Sequence, residues 1–160
     1  LKKLKFFSRQ LSFKQKSSKN RYKARKKLNL LHCKFKHQRL DFFYKLALVI
    51  VKSHDIISIE TMNIKAMLQG LKNLARAISD VGWRMFLNCL KNKALEYGKT
   101  LYEVSSLLGN TCVCSRCRKK NKIPLGQREY VCECGLRIDR DLNSGINVKI
   151  NSLKAAGASV

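Results

Sequence analysis

Acidic residues are scarce in this sequence. Asp and Glu number 10 against 34 Lys and Arg, a formal net charge of +24 over 160 residues. Residues 1–40 hold fifteen Lys or Arg and no acid. A compact body with that excess repels itself unless a polyanion supplies counter-charge. Nucleic acid is the expected polyanion, and its phosphates make the affinity salt-dependent. An anionic membrane surface is the weaker alternative. No uninterrupted run of 18 apolar residues exists, which argues against a membrane span. The basic start, LKKLKFFSRQLSFKQKSSKN, also lacks the apolar stretch of a secretory signal. Leu1 stands where an initiator methionine would, so the expectation is a processed start or a piece of something longer.

Seven cysteines are present, an odd number. Cys33 and Cys89 stand alone within helical patterns and are expected as small core residues. The other five fall between Thr111 and Asn143. Clustered thiols that suit a metal better than disulfides point to a reducing compartment, the cytoplasm. Cys114-x2-Cys117 makes one knuckle and Cys132-x-Cys134 the other. Two pairs of thiolates are a zinc ligand set, because their sulfurs can converge on one tetrahedral ion. The second pair is one residue shorter than the usual knuckle, so its backbone must turn more sharply. Cys112 is either a spare ligand or a neutral small residue. The alternative is a degenerate ribbon that no longer closes; closed on zinc, this segment would draw most of its folding energy from the ion, since it has little apolar content. Arg118, Lys119 and Lys120 make it cationic and suited to phosphate contact.

Upstream, residues 1–20 read as a basic, mobile arm. From Ser18 to about Lys52 the pattern turns helical, with Leu28, Leu31, Phe35, Phe42, Leu46 and Val49 on one stripe. Arg21, Lys23, Arg25 and Lys26 at its start are candidate phosphate contacts. Tyr22, Phe6 and Phe7 could stack on bases, although core or contact roles fit them better. Ile56–Ile59 is a β-rich run ending in Glu60, and Thr100–Val104 a second. Helical patterns lie between them, the second ending at Gly98. Strand, helical crossover and strand is the grammar of a parallel α/β unit. Glu60 is then either a carboxylate at the end of a buried strand, where such sheets place ligands, or an ordinary cap.

Asp139 and Asp141 open a helix running through Ile146, Val148 and Ile150. Asp139 suits the N-cap and Asp141 the first turn, where the helix field favours an anion. Capping explains both. Alternatively, Asp141 joins Glu60 in holding Mg²⁺ for phosphodiester cleavage.

The order of motifs resembles a known family. Glu60-Thr61-Met62-Asn63-Ile64-Lys65-Ala66-Met67 is followed by Ala77-Ile78-Ser79-Asp80-Val81-Gly82-Trp83. The cysteine knuckles come next, then Asp139-Arg140-Asp141-Leu142-Asn143. Together with the block Ser18–Lys26, this resembles the C-terminal half of the TnpB (OrfB) proteins of the IS200/IS605 and IS1341 insertion sequences. Those proteins are similar to the compact Cas12 nucleases. The resemblance implies an α/β fold, a truncated RuvC-like (RNase H-type) domain with a long basic helix and an inserted zinc ribbon. It implies RNA-guided DNA cleavage using Mg²⁺, with DNA and a guide RNA as partners. Glu60 matches the family's second acidic position and Asp141 its third. Cys114, Cys117, Cys132 and Cys134 match the ribbon cysteines.

The family's first catalytic aspartate lies on an opening strand upstream of the basic block. The expectation is therefore a C-terminal portion whose carboxylate set is incomplete and whose cleavage is impaired. The expected organisation is a basic arm over 1–20, a partial RuvC-like core over 21–110, a zinc-ribbon insertion over 111–135 and a closing helix over 136–160. Ser144-Gly145 stands where the family has two alanines, and a mid-helix Gly costs about 1 kcal/mol relative to Ala. A non-catalytic, basic nucleic-acid-binding protein with a structural zinc ribbon is the alternative. A ribosomal-type zinc-ribbon protein is a third reading. The Glu60 strand and the Asp-Arg-Asp-Leu-Asn segment argue against it, because a scaffold needs no such acids.

Overall fold

The computed structural model describes residues 2–124 and 126–157, with Arg76 described by its backbone alone. Leu1 of the expected arm, Leu125 of the expected insertion and residues 158–160 of the expected closing helix lie outside the described residues. The elements in order are α1 (Lys2–Ser12), α2 (Lys19–Ser53), β1 (Ile56–Thr61), α3 (Ile64–Gly70), α4 (Ala75–Val81) and α5 (Trp83–Glu96). They continue with β2 (Thr100–Ser105), β3 (Glu129–Val131), β4 (Arg137–Asp139) and α6 (Arg140–Ala155). The chain divides into two compact units, one of residues 1–50 and 83–93, the other of residues 51–82 and 94–160.

The first unit is helical. Lys2–Ser12, expected as a loop or arm, is a helix with Leu4, Phe7 and Leu11 half-buried. Three apolar residues at spacings of three and four outweigh the local charge once the chain folds back. That reversal passes through Ser17, at φ 67°. Ser18 Oγ then accepts from the Arg21 N–H at 3.1 Å, capping α2. The Arg21 guanidinium donates to the carbonyl oxygens of Leu11 and Lys14 at 3.0 and 2.9 Å. It therefore ties the end of α1 to the start of α2.

Two expectations for α2 are corrected. Phe42, Leu46 and Val49 are 60%, 39% and 65% exposed, and the half-buried or buried apolar residues there are Leu40, Phe43, Ala47, Leu48, Ile50 and Val51. The stripe rotates because what packs on the helix changes along it: the Phe43 ring meets Phe86 of α5 at 5.6 Å between centroids. Cys33 is exposed rather than core, since it lies off the line of Leu28, Leu31 and Phe35. Cys89 is buried as expected, next to the buried Leu90.

In the second unit β1 and β2 pair in parallel, with Ile56 opposite Thr100 and Glu60 opposite Val104. The two strand runs expected from β-branched content are the strands observed. A Lys99–Asp55 ion pair of 2.6 Å closes the start of the pair. Its hydrogen bond and charge hold the Asp55 carboxyl below its ordinary range. Helix α6 packs on both strands. The Ser58 and Ser152 hydroxyls bond each other, so the α6 side of β1 carries Ser58 and, two residues on, Glu60. Among the described residues β1 and β2 pair only with each other, which leaves each an open edge. Beyond β2, the antiparallel pair β3–β4 matches Glu129 with Asp139 and leads straight into α6. No helix among the described residues is long and apolar enough to cross a membrane.

Candidate metal centre and acidic site

Cys114, Cys117, Cys132 and Cys134 converge. Their four sulfurs all lie within 4.8 Å of one another. Cys114 and Cys134 stand 3.7 Å apart, and Cys117 and Cys132 3.5 Å. Tetrahedral zinc with Zn–S near 2.3 Å requires edges of about 3.8 Å, so the donor set and its dimensions fit that ion. The shortened pair closes because Gly135 takes φ 84°, a conformation open to Gly without Cβ strain. Its N–H returns to the Cys132 carbonyl at 3.0 Å, and the Cys132 N–H reaches Leu136 O at 3.0 Å. After the first pair, Arg118 makes the matching reversal at φ 64°.

The local core is small. Cys114, Tyr130 and Cys132 are buried, with Ile123, Leu136 and Ile138 packed against them. Burial, reinforced by neighbouring thiols, pushes the Tyr130 hydroxyl up to about 12. The Cys134 backbone N–H pulls Cys132 down to about 6. The Lys119 N–H acts the same way on Cys117, yet burial and hydrogen bonds with the other three thiols push it up to about 11. One thiol thus ionises readily while its neighbour holds its proton, as expected of crowded thiols facing one point. Cys112 is outside the cluster; its sulfur lies 3.8 Å from the Thr111 hydroxyl.

A ladder of asparagines fixes this module to α6. Asn143, Asn147 and Asn151 recur every four residues and so share one helix face. Asn143 Nδ2 donates to Val113 O at 2.8 Å, and its Oδ1 accepts from the Ser115 N–H at 2.9 Å. Asn147 Nδ2 donates to the carbonyls of Asn110 and Val113 at 2.9 and 2.6 Å. Asn151 Nδ2 donates to Asn110 Oδ1 at 2.8 Å. The Arg118 guanidinium donates back to the Oδ1 atoms of Asn147 and Asn151. Asn143 and Asn147 are fully buried. Sequence reasoning missed these residues as a unit. Their signal was legible, because Asn is a poor helix former and has little reason to recur on one buried helix face.

Asn110 is the junction with the acidic site. Only 1% exposed, it donates through Nδ2 to Glu60 Oε1 at 2.8 Å. Glu60 is half-buried at the end of β1. Asp139 caps α6, its Oδ1 accepting from the N–H groups of Asp141 and Leu142 at 2.8 and 3.1 Å. Asp141 sits in the first turn with its side chain 71% exposed, and Arg128 and Arg140 lie within 3.9 Å of its carboxylate. Glu60 is therefore on a strand and Asp141 on the helix that packs against it. They are not neighbours through the ladder. Asn151, which meets the far side of Asn110, is about 15 Å along the helix from Asp141. Among the described residues, the four cysteines are the one group of three or more potential metal ligands.

The expected phosphate contacts fall into two groups. Lys23, Arg25, Lys26 and Lys120 are exposed. Arg21 and Arg118 have the structural hydrogen bonds described above, and Lys119 pairs with Glu133 at 2.7 Å.

The arrangement defines a basic α/β protein with a cluster of four cysteines, able to hold a metal ion, clamped to the helix that follows it. Comparison with known proteins gives the family. Residues 1–71 match the OrfB_IS605 family, described as "Probable transposase", and residues 83–148 match the "Cas12f1-like, TNB domain". A "Putative RNA-guided DNA endonuclease" of Streptomyces pristinaespiralis is 35% identical over 149 residues, covering 92% of this chain and 37% of that protein. InsQ of Escherichia coli K12, with the same description, is 29% identical over 164 residues, covering 92% and 40%. The TnpB-like protein L79 of Acanthamoeba polyphaga mimivirus is 29% identical over 144 residues, covering 86% and 27%. A chain in the cryo-EM structure of the Cas12f1–sgRNA–target DNA complex shares the fold. Its TM-score is 0.53 at 18% identity, covering 91% of this chain and 41% of that one. The chain belongs to the TnpB-type family. It spans 27–40% of the length of these curated relatives.

Proposed function

We propose that this chain is the RuvC-like and zinc-ribbon portion of a TnpB-type, RNA-guided DNA endonuclease. The observation that carries the reading is the packing of α6 on β1 and β2. That packing supports the reading because the helix with Asp141 in its first turn lies on the strand with Glu60 near its end. Residues 21–110 are then the partial nuclease core, 111–135 the ribbon insertion and 136–160 the closing helix. The relatives' names supply the partners, DNA and a guide RNA.

Glu60 and Asp141 are carboxylate donors of the kind Mg²⁺ takes, and are the residues that would hold it. When bound, Mg²⁺ activates water and stabilises the leaving oxygen of a phosphodiester. The chain's own contribution is orientation. Asn110 fixes one oxygen of Glu60 and leaves the other for ligation. The Asp139 cap fixes the turn that displays Asp141. Arg128 and Arg140 keep a cationic surround in which a DNA phosphate is attracted to a site that carboxylates alone would repel. The four cysteines would hold structural zinc.

Mg²⁺-dependent DNA cleavage by the purified protein with its guide RNA tests this reading. Glu60→Gln and Asp141→Asn are each expected to lower the rate at least about 100-fold, as loss of a metal-binding or charge-stabilising group does. The measurement is made in a protein that contains this portion together with the rest of the nuclease, and cleavage that survives both substitutions there would overturn it.

A further inference from the structure

Tyr22 is one of several exposed aromatics, and it stands among cations. Its side chain is on the first turn of α2, and the residue is 61% exposed. Two surface hollows of about 240 and 510 Å³ share it. Both are shallow and open to solvent. Lys19, Lys23 and Lys26 line the larger hollow, and Arg25 and Lys26 the smaller. Lys19, Arg25 and Lys26 stand three or four residues from Tyr22, so they share its face of the helix. The Arg25 guanidinium lies over the Tyr22 ring, 5.8 Å from its centroid.

Three further observations say what the hollows suit. None of Lys19, Lys23 and Lys26 is in an ion pair among the described residues. The first acid in the sequence is Asp41, far along the helix. The wall is also held in place: Ser18 caps the helix and Arg21 ties it to α1, so Tyr22 projects from an ordered turn. An aromatic ring ringed by unpaired cations on a fixed backbone offers stacking to a base and counter-charge to the phosphates beside it. A duplex keeps its base faces stacked inside and cannot use the ring.

We propose that Tyr22 is the stacking platform of a binding site for an unpaired nucleotide in single-stranded nucleic acid, with Lys19, Lys23 and Lys26 at its phosphates. This rests on the reading that the protein binds nucleic acid, and it assigns one contact within it.

The test measures binding of fluorescent oligo(dT), oligo(U) and a DNA duplex across a salt series, with the fold of each variant checked by circular dichroism. Tyr22→Ala should weaken single-strand binding about 5–100-fold, leave the salt slope unchanged and spare the duplex. Tyr22→Phe should bind like the unsubstituted protein, since the ring is kept. Lys26→Ala should instead lower the slope by about 0.7, one phosphate's worth. Loss with either single strand supports the site. A Tyr22→Ala protein that binds both single strands normally, or loses the duplex equally, overturns it while nucleic-acid binding itself stands. If the unsubstituted protein binds none of the three, the broader reading falls with it.

Discussion

The side-chain amide of Asn110 donates to Glu60 Oε1 at 2.8 Å, while its carbonyl groups receive Asn147 and Asn151 from α6. One buried residue thus joins the end of a strand, the start of the cysteine module and the helix that carries Asp141. Replacing it strips partners from groups that stay partly buried. Asn110→Leu is expected to destabilise the fold by about 1–3 kcal/mol, the cost of leaving such groups unsatisfied. Urea unfolding would show it as a lower midpoint at unchanged slope. A shift too small to resolve would mean that water replaces the amide.

The cysteine cluster should bind one zinc per chain. Elemental analysis should find that stoichiometry retained in Cys112→Ser and lost in Cys117→Ser, since only the second is a corner of the tetrahedron. Chelation should raise amide exchange across β3 and β4 well before α2 responds. The few apolar residues around Tyr130 cannot hold that segment folded without the ion. Equal protection with and without metal would contradict this.

Arg21 is expected to matter more for α1 than for phosphates. Arg21→Ala removes two hydrogen bonds from a charged donor to the carbonyls of Leu11 and Lys14. Such bonds are worth about 1.5–3 kcal/mol each, with exposure here favouring the lower end. Exchange of the α1 amides should accelerate markedly. Arg21→Lys should rescue part of the loss, because both bonds leave one guanidinium nitrogen and an ammonium can donate twice, though from a shorter side chain.

Gly145 lies exposed in the interior of α6, and an added Cβ would meet nothing within 4 Å. Gly145→Ala should therefore raise stability by up to about 1 kcal/mol, through helix propensity alone. Thermal unfolding of the zinc-loaded protein measures it; no gain, or a loss, would mean that the helix is used in another conformation.

Local chemistry was legible in the chain. β-Branched runs announced β1 and β2, Asp139 announced the start of α6, and the two cysteine pairs announced the convergence of Cys114, Cys117, Cys132 and Cys134. Each depends on neighbours a few residues away or on side-chain type. Other expectations failed where packing partners decide. Cys33 was placed in a core, but it faces out, and Phe42 and Val49 gave way to Phe43 and Ala47 because α5 meets α2 there. Lys2–Ser12 was expected to be an arm, yet Arg21 supplies a distant donor that holds its end as helix.

The sequence by itself determined the charge excess, the parallel α/β grammar, the four thiols and the family. Those follow from composition, periodicity and motif order, which exist before folding. Only the tertiary structure decided which cations remain exposed and which become clamps. It also set Asn110 against Glu60 and turned three asparagines into the seam between module and helix. Such contacts join residues dozens of positions apart, and burial gives an amide pair its strength by removing the competing water.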